Sequence, residues 1–92
     1  MRIIKELQIK DVNITIFKME QKFTLKLEWQ RMEQVFKLDG REGIEDVNNV
    51  IDVIDKEFIE NVQSVFQSML KNRNERLKAL QEVEDEEFPE II

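Results

Sequence analysis

The chain has no cysteine and no histidine. Without thiols there are no disulfides, no thiol catalysis and no cysteine zinc or iron–sulfur sites. Without imidazoles the commonest general base and the commonest metal ligand are gone. Any catalysis would have to rest on carboxylates, lysines or hydroxyls. Glycine is also scarce: both glycines of the chain stand at 40 and 43, and the one proline is Pro89. No apolar run approaches the roughly 20 residues that cross a bilayer. The opening Met1-Arg2-Ile3-Ile4-Lys5-Glu6 turns to charge at once and leaves no apolar signal-peptide core. The cytoplasm is the expected compartment, and no membrane association is expected.

What is present is a core-forming set diluted by charge. Of 92 residues, 41% are apolar and 37% are charged, so the chain is expected to fold as one domain with a heavily charged surface. The net charge of −6 is unevenly shared. Residues 1–39 hold eight Lys/Arg against six Asp/Glu, whereas residues 40–92 hold six against fourteen. An acidic chain is a poor match for phosphate backbones, which bind cation-rich surfaces. Only the front half keeps that option open.

That front half alternates with a period of two, the mark of half-buried strands. Phe23, Leu25, Leu27 and Trp29 share one face against Lys22, Thr24, Lys26 and Glu28. Val12, Ile14 and Ile16 share a face with Lys18, opposite Asn13, Thr15, Phe17 and Met19. Ile3, Leu7 and Ile9 line one side of a first strand; Gln34, Phe36 and Leu38 line one side of a fourth. Polar breaks at Lys10-Asp11, Glu20-Gln21 and Gln30-Arg31 recur about every ten residues, which predicts a four-stranded antiparallel meander joined by tight hairpins. None is Asn-Gly or Asp-Gly, so the turn type is left open.

After Asp39-Gly40-Arg41-Glu42-Gly43 the period changes to three and four, carried by Val47, Val50, Ile51, Ile54, Phe58, Val62, Val65, Phe66 and Met69. This predicts amphipathic helix. Asp55 stands where a new helix could be capped, so the reading is a short helix at about 46–53 and a long one from 56 to about 82, with one unbroken helix as the alternative. The expected fold class is α+β: residues 1–83 form one domain, and 84–92 form an acidic flexible tail, since Glu84-Asp85-Glu86-Glu87 and Pro89 disfavour packing.

Several residue groups are candidates for function. Asp52 with Asp55 and Glu57 with Glu60 are spaced three apart, but they fall on the polar side of the helix with no nucleophile nearby, and a solvated helix face accounts for them. The acidic tail lacks the glycine and spacing of a calcium loop. Its Phe88, Ile91 and Ile92 could instead anchor it on a protein partner. Phe17, Lys22, Lys26 and Lys37 fall on the outward sheet face, a pattern that could stack and neutralise single-stranded nucleic acid; ordinary exposed side chains or a sheet-mediated dimer contact explain them better, because one aromatic is a thin platform and the chain is acidic. Trp29 reads as core. Leu70, Leu77 and Leu80 lie where a long helix would outrun strands of eight residues, and they need something to pack on.

Four strands and then a long helix resembles, in topology, the Whirly and Pur-alpha families of single-stranded nucleic-acid-binding repeats, over residues 1 to about 82. No residue motif of either family is matched, so no functional residue is carried over. Ile3-Ile4-Lys5-Glu6, Ile14-Thr15-Ile16-Phe17, Lys26-Leu27-Glu28, Glu33-Gln34-Val35-Phe36-Lys37 and Glu57-Phe58-Ile59 look like small uncharacterised bacterial proteins, a resemblance that implies no function. The sequence therefore leads to a non-enzymatic homo-oligomer, most simply a dimer, needing no metal or cofactor. The alternative is a single-stranded nucleic-acid-binding module.

Overall fold

Period-two segments fold as antiparallel strands because alternate side chains then bury on one face while every backbone group pairs with a neighbour. In the computed structural model β1 (Arg2–Ile9), β2 (Val12–Met19), β3 (Lys22–Trp29) and β4 (Met32–Leu38) form one sheet in chain order. It is the expected meander. The structure describes the backbone of residues 1–91, with side chains through Gln81; the side chains of the expected acidic tail, 84–92, lie outside the described residues.

Each hairpin closes with two residues. Lys10 and Asp11 take φ of 49° and 69°, and Gln30 and Arg31 take 53° and 65°; at the middle hairpin only Glu20, at 57°, is positive. Two consecutive positive φ values are the mark of the type I′ turn, whose twist matches that of the strands it joins. Such turns favour Asn-Gly, and here bulkier residues occupy them.

The registers of β2, β3 and β4 follow the sequence pattern. Ile14 faces Leu27, which faces Gln34; Ile16 faces Leu25, which faces Phe36. Val12, Ile14, Ile16, Phe23, Leu25 and Leu27 are all buried. β1 departs from the pattern. Its register shifts between Ile3, which faces Phe17, and Lys5, which faces Ile16. Ile4 is the extra residue of a β-bulge, which re-aims the side chains beyond it. Ile3, expected in the core, is therefore 52% exposed, and Ile4 packs against the core in its place.

Asp39 to Ile44 turn the chain from sheet to helix. Asp39 Oδ1 accepts from the Arg41 backbone N–H at 2.8 Å, and Glu42 Oε1 accepts from the Asp39 N–H at 3.1 Å. A single 3-10 turn over Gly40–Glu42 results, closed by Gly43 at φ 78°, where glycine avoids a Cβ clash. Helix α1 (Val47–Val53) starts on a reciprocal cap: Asp46 Oδ1 accepts from Asn48 N–H at 2.8 Å, and Asn49 Oδ1 accepts from Asp46 N–H at 3.2 Å. Val50 is its buried anchor.

The helical segment breaks where Asp55 stands. Its Oδ1 accepts from the Phe58 N–H at 2.8 Å, and its carbonyl accepts from Ile59 N–H at 3.0 Å, so it caps α2 (Lys56–Ile91). Ile59, Val62 and Phe66 bury one stripe of α2 on the sheet, with Phe58, Met69 and Leu70 flanking them. Phe58 meets Phe36 at 5.5 Å between ring centroids, and Phe66 meets Trp29 at 5.8 Å. Gln34 Nε2 donates to the Val62 carbonyl at 3.0 Å, which satisfies the one polar side chain that β4 turns toward the helix. The helices cover one face of the sheet and leave the other open, as antiparallel sheets permit.

Candidate functional site

Two surfaces stand out. The first is the part of α2 that leaves the sheet. Arg73 marks the departure: its Nη1 donates to the Gln30 carbonyl, 2.7 Å away in the β3–β4 hairpin. Leu77 and Leu80 follow at four and seven residues beyond Arg73, and Arg73 itself follows Phe66 by seven. At 3.6 residues per turn all four fall on one side of the helix. The stripe that Ile59, Val62 and Phe66 bury therefore continues past the sheet with nothing over it among the described residues. Leu77 is 49% exposed and Leu80 54%. Leu70, grouped with them from sequence, is half-buried and packs on the core. The molecule measures 57 × 27 × 22 Å, an elongation that the projecting helix produces.

The projecting turns are polarised. Lys71, Arg73, Arg76 and Lys78 surround the leucines, with Glu75 the one carboxylate among them, and Glu82, Glu84, Asp85, Glu86 and Glu87 follow in sequence.

The second surface is the open sheet face. Phe17, Lys22, Lys26 and Lys37 do share it: Phe17 pairs with Thr24, Thr24 with Lys37, and Met19 with Lys22. Lys26 Nζ sits 5.8 Å from the centre of the Phe17 ring. It is also 3.6 Å from a Glu28 carboxylate oxygen and 3.8 Å from one of Glu33, so its charge is already answered. Lysines and glutamates are segregated along the strands, with Glu28 and Glu33 facing each other at one end and Lys22 and Lys37 near the other. There Lys22, Lys37, Met19 and Arg41 line part of a shallow crevice of about 280 Å³. Asp39 belongs to the same crevice. Its carboxyl is held below the usual carboxylate range by hydrogen bonds from the Arg41 side chain and then from the Arg41 backbone.

Asp55 caps α2, and Asp52, Glu57 and Glu60 are exposed. Trp29 is half-buried on Phe66 and rims a crevice of about 380 Å³ beside Lys10, Val12 and Gln63. Among the described residues, no three acidic side chains converge as metal ligands, and no helix is long and apolar enough to cross a membrane. Sequence reasoning missed this second crevice, because it depends on how α2 crosses the hairpin end of the sheet. Comparison with known proteins finds no matching family model, no matching curated protein and no matching solved structure.

Proposed function

We propose that the protein is a non-enzymatic interaction module that works as a homo-oligomer, most simply a dimer, built on the projecting face of α2. One observation carries the reading: Leu77 and Leu80 continue the buried stripe of α2 beyond Arg73, about half exposed, with no other element of the chain against them among the described residues. A fully buried leucine is worth about 1.5–3 kcal/mol over an exposed one. A two-fold contact covers the patch on both copies at once. It also holds a helical extension that would fray in isolation. The absence of histidine and cysteine and the exposure of the paired carboxylates favour a binding role over catalysis. The lack of cysteine also suits a cytoplasmic setting. The test is Leu77→Glu with Leu80→Glu: the double variant is expected to sediment as a monomer while keeping the far-ultraviolet signature of the sheet and helices. A double variant that associates like the parent would place the contact elsewhere.

A second reading rests on the open sheet face, where Phe17, Lys22, Lys26 and Lys37 lie together. As a single-stranded nucleic-acid site it would use Phe17 for stacking and Lys22 and Lys37 for phosphates, with Lys26 weakened by Glu28 and Glu33. Affinity for a labelled oligonucleotide would then fall steeply with salt. No binding at low salt would end this reading.

A further inference from the structure

Resting on the self-association reading, we infer that two copies pair their projecting α2 segments antiparallel about Leu80, so that the cationic turns of each lie along the acidic stretch of the other. The argument is charge order along one helix. Before Leu80 come Lys71, Arg73, Arg76 and Lys78; after it come Glu82, Glu84, Asp85, Glu86 and Glu87. Parallel pairing stacks cation on cation and carboxylate on carboxylate along the whole contact. Antiparallel pairing about Leu80 sets Lys78 level with the partner's Glu82, and Arg76 level with the partner's Glu84. Flanking charges of this kind set orientation in helix pairs more than they set affinity.

The direction has a second consequence. Each chain end then runs toward the hairpin end of the other sheet, where Arg73 meets Gln30. That end presents the exposed Lys10 and Arg31, offset by Asp11, and the crevice lined by Trp29, Phe66 and Lys10 opens there. Lys10 and Arg31 thus add cationic groups where the acidic stretch of the partner's α2 arrives.

The chain has no native cysteine, so single thiols report orientation directly. Arg76→Cys and Glu84→Cys, four residues either side of Leu80, are prepared separately, then mixed as full-length chains, exchanged and oxidised. The mixed disulfide is expected to form in large excess over the one-to-two-to-one pattern of random collision, while each variant alone stays uncrosslinked. Efficient crosslinking of each variant with itself would overturn the antiparallel order. So would the absence of any crosslink in a sample that still sediments as a dimer. A monomeric sedimentation profile of the unmodified chain would instead remove the self-association reading, and this inference with it. Salt supplies an independent readout. Screening should weaken an antiparallel pair and strengthen a parallel one, so dimer affinity that rises with salt would also contradict the assignment.

Discussion

Among the described residues, five other than glycine hold positive φ, and all of them sit in the three hairpin turns. An L-residue in that region is strained by roughly 1–2 kcal/mol, because its Cβ crowds the next carbonyl. The sheet imposes this conformation, since only a tight turn of this hand lets two-residue loops join strands in register. Replacing Lys10-Asp11 or Gln30-Arg31 by Asn-Gly should therefore raise stability by about 1 kcal/mol per turn, read from urea melts. Asp39 gives a prediction in pH. Its folded pKa is depressed through Arg41, so the unfolded chain binds more protons as pH falls. The contribution is fully present above the ordinary carboxylate value of about 3.9 and is lost as pH drops through the folded value. Asp39→Asn should flatten the fall of melting temperature on the acid side of pH 4. An unchanged acid limb would mean that the Asp39–Arg41 contact adds nothing in solution, as some exposed pairs do.

Among the elements, α2 is fastened to the sheet at identifiable points. Phe66 is 1% exposed and meets Trp29, so Phe66→Ala should cost about 3–5 kcal/mol and change the tryptophan fluorescence. Asp55→Ala removes the cap that separates α1 from α2 and should cost about 1 kcal/mol. The cap was legible before the structure, because an aspartate three residues ahead of Phe58 has one obvious helical use. The faces of β2, β3 and β4 were legible for a similar reason: period two admits one burial pattern once Val12, Ile14, Ile16, Phe23, Leu25 and Leu27 are assigned inward. Ile3 and Ile4 were not resolvable that way. Two adjacent isoleucines fit either phase, and a bulge is fixed by pairing with β2, which no local pattern records. The turn types were hidden too, since Lys10-Asp11 and Gln30-Arg31 take positive φ only because the strands demand it.

At the scale of the molecule, the sheet is shorter than the helix laid across it, and the projecting face follows from that mismatch. Strand lengths set by breaks every ten residues, and a helical period running past residue 69, made the overhang legible in sequence. The point of departure was not. Leu70 reads like Leu77 in the heptad pattern, yet it packs on the core, because the β3–β4 hairpin reaches as far as Arg73. The open sheet face was likewise legible as a set of residues but not as an electrostatic surface. The pairing of Lys26 with Glu33 depends on cross-strand register, which joins it to the contact with Glu28 on the same strand. The central claim is that Leu77 and Leu80 are covered by a second copy, and sedimentation equilibrium of the unmodified chain, from low to high micromolar concentration, tests it most directly. The account predicts a reversible monomer–dimer equilibrium whose mass approaches twice 11.1 kDa as concentration rises. A mass that stays at 11.1 kDa through high micromolar concentration would contradict it.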